Sequence, residues 1–227
     1  MNVSGENFTH DSLPQSFYDS FNNFIMSSDQ KIFNKLMSKV FFLELTKEIP
    51  GDVIELGVFR GSGMFSWIKS LNFLRLSRKV YGFDFFNADE LVQGIDTKDV
   101  SVMASLFNDR GFDPLGYENT LAKKLSEISY SNFELIGGDV FLTIPIFLEK
   151  HPGFRASVIN FDLDTEKPTY FALEQLWDRL VPGGILIFDE YAINEWTESN
   201  AVDRFMSEKK LTLKSTNLFA PSAYIVK

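Results

Sequence analysis

The chain has no cysteine, which removes disulfide frameworks, thiolate nucleophiles and zinc–thiolate sites from consideration. Histidine is nearly absent as well. His10 lies in a polar N-terminal stretch and His151 between a helical and an extended segment, so neither reaches the strand ends where α/β proteins work, and a Ser-His-Asp arrangement is not expected. Positive charge is short too: 22 Lys and Arg stand against 31 Asp and Glu, for a net charge of -9. No basic cluster offsets this, which argues against a general nucleic-acid or anionic-membrane binder. No apolar run reaches membrane-spanning length, and Met1 to Glu6 carries neither the basic nor the apolar part of a secretory signal. The expectation is a soluble, cytoplasmic protein. At 227 residues it has room for one α/β domain.

What is abundant is phenylalanine, 24 residues, suited to a packed core and in part to a pocket or subunit contact. The organising stretch is Asp52 to Gly63. Val53-Ile54-Glu55-Leu56 is a short apolar run with one acid, Gly57, Gly61 and Gly63 mark a turn, and Met64, Phe65, Ile68 and Leu71 repeat at helical spacing. This predicts strand, turn and helix, with a nucleotide-like ligand lying against the turn. Gly57-x-x-x-Gly61-x-Gly63 is not the dinucleotide spacing G-x-G-x-x-G. Glu55 at the strand end would repel phosphates and attract a cation, which favours S-adenosylmethionine, whose amino group and sulfonium are both positive.

Further on, Lys79 to Asp84 reads as a second strand whose terminal acid, Asp84, suits the two hydroxyls of a ribose. Residues 87–116 read as a polar insertion, with a helix around Val102 to Phe107, and serve as lid or decoration. Tyr117–Ser126 reads as a helix and Phe133–Val140 as a third strand. Asp139 either accepts from an adenine amino group or caps the helix that follows. Ser157–Asp164 is a strand ending in two acids. A helix over Pro168–Val181 is then stopped by Pro182-Gly183-Gly184, and Ile185–Phe188 delivers Asp189 and Glu190 at its own end. Four acids on neighbouring parallel strands repel one another unless a proton or a hard divalent ion sits among them. Leu211–Ser215 and Ala223–Val226 read as an antiparallel hairpin. Ahead of all this, Phe17, Phe21, Phe24 and Ile25, then Ile32, Phe33, Leu36, Met37, Val40 and Phe41 behind an Asp29 cap, form two helical stripes. They are expected to pack on the sheet, with a lid or a dimer contact as the alternative.

Taken in order, Glu55-Leu56-Gly57-Val58-Phe59-Arg60-Gly61, Tyr81-Gly82-Phe83-Asp84, Gly138-Asp139-Val140-Phe141-Leu142-Thr143-Ile144-Pro145, Asp162-Leu163-Asp164, Pro182-Gly183-Gly184, Asp189-Glu190-Tyr191 and Ala201-Val202-Asp203-Arg204-Phe205 resemble the motifs of the macrocin-O-methyltransferase-like family. The resemblance implies a Rossmann-like class I methyltransferase: a mostly parallel α/β sheet with a C-terminal antiparallel hairpin and helices on both faces. Residues 1–50 would be a helical extension or lid and 51–227 the catalytic domain. It further implies a bacterial enzyme that uses S-adenosylmethionine and magnesium to methylate a hydroxyl, often on a sugar of a natural product or glycan. Glu55, Gly57, Gly61 and Ser62 would hold the methionine end of the cofactor, Asp84 the ribose, and Gly138, Asp139 and Val140 the adenine side. Asp162, Asp189 and Glu190 would hold the metal, with Asp162 or Asp164 beside the hydroxyl that loses its proton. The chain departs from the family where Glu190 replaces an aspartate and Glu166 a tyrosine. Metal-independent methyl transfer, NAD(P)-dependent oxidoreduction and non-catalytic cofactor binding stay open on the sequence, as does a homodimer.

Overall fold

The computed structural model describes residues 14–86 and 116–227. His10 and the helix expected around Val102 to Phe107 lie outside the described residues. Five strands, β1 (Asp52–Leu56), β2 (Val80–Asp84), β3 (Phe133–Gly137), β4 (Ala156–Phe161) and β5 (Leu180–Phe188), run parallel. Two more, β6 (Lys214–Ser215) and β7 (Ala223–Val226), run antiparallel, and the sheet order is β3-β2-β1-β4-β5-β7-β6. The chain leaves β1 toward β2 and β3, then returns to its other side as β4. That reversal between β1 and β4 opens a crevice beyond their C-terminal ends, where ligands of open α/β sheets bind.

Helices cover both faces. On one lie α2 (Gln30–Leu45), α3 (Ser62–Leu74) and α4 (Tyr117–Ser126), packed through Phe42, Met64, Trp67, Leu71 and Leu121. On the other lie α5 (Val140–Lys150), α6 (Glu166–Leu176) and α7 (Glu198–Lys209), packed through Ile144, Phe147, Leu173 and Phe205. Asp29 caps α2 by accepting a hydrogen bond from the Lys31 amide. The stripe expected to face the sheet does not. Ile32, Phe33, Met37 and Phe41 are exposed, as are Phe17, Phe21 and Ile25 of α1 (Gln15–Met26), and the buried residues of α2 are Ser38, Lys39, Phe42 and Leu43. Helical periodicity located a stripe, but a helix rotated by one position buries the lysine-bearing side instead.

Three boundaries also differ from the sequence reading. The α6 helix ends at Leu176 in a 3-10 turn, Trp177–Arg179, and Pro182-Gly183-Gly184 lies inside β5 rather than stopping the helix. There the pairing with β4 shifts register between Ala156↔Leu180 and Val158↔Ile185, and the C-terminal Lys227 exchanges backbone hydrogen bonds with Gly183 and Gly184. A bulge tolerates the proline that a regular central strand would not. In the hairpin, β6 is reduced to two residues because Leu211 and Leu213 pack on the core. His151, kept away from the strand ends as expected, is half-buried, with its ring 4.7 Å from that of Phe147 at the end of α5.

Candidate active site

Strand alternation decides which side chains enter the crevice. Glu55 of β1 pairs with Asn160 of β4, and Asn160 with Ile187 of β5, so these three share a face, while Ile54, Ile159 and Leu186 take the other. Counting on by twos puts Asp162 and Asp189, the residues just past β4 and β5, on the Glu55 face. This is the face that α2 covers. Asp162 and Asp189 are locked to the strand ends by hydrogen bonds from their amides to Leu56 and Phe161 carbonyls, at 2.8 and 3.0 Å.

Asp162, Asp164 and Glu190 each bring a carboxylate oxygen within 4.8 Å of the other two. Asp189 is fully buried and is gripped instead by the Lys35 ammonium at 2.5 Å, which also lies 3.6 Å from Asp162. Lys31 meets Glu190 at 3.5 Å, and Lys39 lies over the Trp67 ring. These lysines recur every fourth residue of α2 and so line one side of the helix. Glu198, at the start of α7, accepts from the Glu190 amide and brings a further buried acid behind the cluster.

Asp164 holds a left-handed backbone, φ 63°, with its carbonyl accepting from Thr197.

The electrostatics follow from crowding. Burial, reinforced by Asp189, raises the Asp162 carboxyl to about 7. Burial and then Asp162 push Asp164 well above the usual range, and Glu198 is raised in the same way by burial and then Asp164. Glu55 is raised to about 8 by burial, against the opposing pull of Lys39. Among the described residues, Oε2 of Glu55, Oδ1 of Asp189, Oε2 of Glu190, Oε2 of Glu198 and both polar side-chain atoms of Asn160 have no hydrogen-bond partner. Buried polar groups of this kind are normally satisfied. Six acids outnumber three lysines, so protons held by the raised carboxyls keep the ligand-free cluster together, and converging oxygens with no nitrogen or sulfur donor among them fit a hard divalent cation in place of those protons.

The glycine turn is shaped first by the protein itself. A Cβ on Gly57 would strike the Asp162 backbone carbonyl, one on Gly61 the Leu121 side chain and one on Gly63 the Glu55 carboxylate. Gly57 and Gly61 also have positive φ, 91° and 85°. Asp84 ties the turn down: its Oδ2 accepts from the amides of Val58 and Phe59, and Oδ1 from Phe86. Among the described residues these three donors leave one lone-pair position of about four for a ligand hydroxyl. Of the two readings for Asp139, the helix cap is present, its Oδ1 accepting from Phe141. Val140 is buried in the core, Gly138 donates its amide to the Asp84 carbonyl, and Ser62 is exposed at the first position of α3. A depression of about 400 Å³ at the opposite end of the sheet, lined in part by Asp52 and Arg78, carries no comparable cluster. Arg78 there donates to the Thr46 and Ile49 carbonyls.

Residues 29–225 match the family model described as Macrocin-O-methyltransferase (TylF). The chain belongs to the macrocin-O-methyltransferase family. Within it, the chain is 31% identical over 154 residues to an 8-demethyl-8-(2,3-dimethoxy-alpha-L-rhamnosyl)-tetracenomycin-C 4'-O-methyltransferase of Streptomyces olivaceus. That alignment covers 66% of this chain and 56% of the relative. Among solved structures, CalS11, a TDP-rhamnose 3'-O-methyltransferase of calicheamicin biosynthesis, superposes with a TM-score of 0.69 at 21% identity, over 96% of this chain and 88% of that one. The O-methyltransferase NovP gives 0.66 at 19% identity, over 86% and 79%. At these identities the structural matches show the fold.

The matched region begins at residue 29 and so includes α2, whose lysines the sequence reading passed over. Their signal was present as Lys31, Lys35 and Lys39 at helical spacing, interleaved with the apolar stripe. Asn160 and Glu198 were missed as well. Asn160 stands two residues before Asp162 in an apolar strand, a position where only a functional or hydrogen-bonded amide is usually found.

Proposed function

We propose that this chain is an S-adenosylmethionine-dependent O-methyltransferase that methylates a hydroxyl of a small molecule, a sugar of a natural product or glycan, with help from a divalent cation. One observation carries the reading. Glu55, with an unpartnered buried oxygen at the end of β1, shares a sheet face with the acid cluster past β4 and β5. A positive methyl donor and a hydroxyl acceptor can therefore be held side by side. Family membership and the relative named for a sugar O-methyl transfer support the same class of reaction.

In this reading Glu55, Gly57, Gly61 and Ser62 receive the methionine end of the cofactor, and Asp84 uses its remaining acceptor capacity on the ribose. Gly138, Asp139 and Val140 border the adenine, Val140 through its backbone because its side chain is in the core. S-adenosylmethionine supplies an electrophilic methyl group when bound. Asp162, Glu190, Asp164 and, once free of Lys35, Asp189 are the oxygens available to a divalent ion, whose chemistry is to acidify and orient a neighbouring hydroxyl. Asp162 or Asp164 accepts the proton. The protein holds donor and acceptor in attack geometry, since a sugar hydroxyl is a weak nucleophile.

The test combines calorimetry with S-adenosylhomocysteine and methyl transfer to rhamnosylated acceptors with magnesium or after EDTA. Cofactor binding, and transfer that EDTA abolishes and magnesium restores, are the expected results. Activity that persists after exhaustive chelation would leave the metal-independent mechanism, and tight NAD(P) binding without S-adenosylhomocysteine binding would refute the cofactor. The exposed apolar faces of α1 and α2 suit a second copy of the chain, checked by light scattering. We also place the enzyme in the cytoplasm; no helix among the described residues is long and apolar enough to cross a membrane.

A further inference from the structure

We propose that Lys35 and a divalent ion are alternative occupants of the same carboxylate cluster, so that cation binding displaces Lys35 and lifts the first half of α2 from the sheet end. The inference rests on the reading of the cluster as a cation site. Its geometric basis is that the Lys35 ammonium bridges acids from two adjacent strands, 2.5 Å from Asp189 and 3.6 Å from Asp162. Asp162 is also one of the three oxygen donors that converge with Asp164 and Glu190. Two cations sharing one carboxylate at such distances repel each other, so the lysine weakens any ion that enters. Asp189 is wholly buried; the ammonium contacts its Oδ2 while Oδ1 has no partner, so departure of the ammonium frees Oδ2 for an ion beside an oxygen that is already unpartnered.

The architecture of α2 suits this exchange. No residue of the helix before Ser38 is buried, and its first half reaches the sheet end through charge: Lys31 to Glu190, Lys31 over the Phe219 ring, and Lys35 to Asp189 and Asp162. The second half is rooted by Phe42 and Leu43 in the core and by Thr46, whose hydroxyl and carbonyl accept from Arg78. One end of the helix is a charged latch and the other an apolar hinge. An ion that satisfies Asp189, Asp162 and Glu190 removes the latch partners of both lysines at once. The crevice between α2 and the strand ends then opens to the acceptor with the metal in place.

The experiment is a manganese titration, followed by electron paramagnetic resonance, of the wild-type chain, Lys35→Met, Lys35→Gln and Lys35→Arg, paired with hydrogen exchange over α2. Removing the competing charge should tighten manganese binding by about tenfold in Lys35→Met and Lys35→Gln, while Lys35→Arg stays at the wild-type affinity or weaker. In the wild type, amides of residues 31–37 should exchange faster when manganese is bound and those of 39–45 should not change. Lys35→Gln serves should Lys35→Met fail to fold without metal. Unchanged or weaker manganese binding in both neutral variants, beside measurable binding by the wild type, overturns the competition and leaves the cation site standing. No manganese binding by any of the four overturns the cation site itself and this inference with it.

Discussion

The two faces of the sheet are built from the same strands and do different work. Along β4, Ile159 and Phe161 point into the face covered by α5, α6 and α7, where Phe83, Phe147, Phe188 and Phe205 complete an apolar core. One residue over in each case, Asn160 and Asp162 point under α2. The first face buries aromatic surface, with Oγ1 of Thr169 and Oε2 of Glu198 unpartnered in its helices, whereas the second buries Glu55, Asn160, Asp189 and Glu190 with polar atoms lacking partners in the strands and just past their ends. Aromatic packing is concentrated on one side and buried acid on the other. Alternation at period two keeps the functions apart in a sheet one residue thick.

Substitutions on the two faces should therefore separate activity from stability. The largest effect is expected from Asp162→Asn and Asp189→Asn, each lowering turnover by about a thousandfold or more while calorimetry still finds cofactor binding. Loss of cofactor binding in either variant would mean that the two halves of the site are not independent. On the opposite face, Phe161→Ala should cost about 3–5 kcal/mol in urea denaturation, with activity per folded molecule largely kept.

Glu55 provides a pH test. Its carboxyl stands at about 8 in the fold against an ordinary 4.5, so between those values the folded chain holds a proton that the unfolded chain has released. Stability of the ligand-free protein should thus be fullest below pH 4.5 as far as this group is concerned. It should be lost as pH rises through 8, at up to about 1.4 kcal/mol per pH unit. Glu55→Gln should flatten that slope in thermal melts and abolish cofactor binding. The smallest effect is expected from Asn160→Leu, which removes two unpartnered polar atoms from a buried position: about 1–2 kcal/mol more stable without ligand, and less active. A destabilised Asn160→Leu would show that the amide is satisfied by water and that the faces differ less than proposed.

The strands, the glycine turn and the four acids at neighbouring strand ends were legible because each rests on local signals: apolar runs of strand length, positive-φ glycines, and an acid at the end of each run. The convergence of Asp162, Asp164 and Glu190 was foreshadowed by parallel pairing of β4 and β5. What the sequence hid was the rotation of α2 and the long-range ion pairs of Lys35. Which side of α2 faces the sheet depends on a few residues of tertiary packing, and with an apolar stripe on one side and lysines on the other, hydrophobicity pointed to the wrong one. Lys35 at the cluster is a contact between residues over a hundred positions apart, and nothing local encodes it. The glycines posed a related problem, since absence of a side chain marks close approach without saying whether ligand or protein approaches.

Gly63 carries a consequence for anyone who would make this protein sturdier. It sits in the first turn of α3, where helical preference alone would reward alanine by up to about 1 kcal/mol. The added methyl would land 1.8 Å from Oε1 of Glu55. Hardening the helix would displace the buried acid beneath it, so the weak spot in the scaffold and the seat of the Glu55 carboxylate are one and the same atom-sized gap.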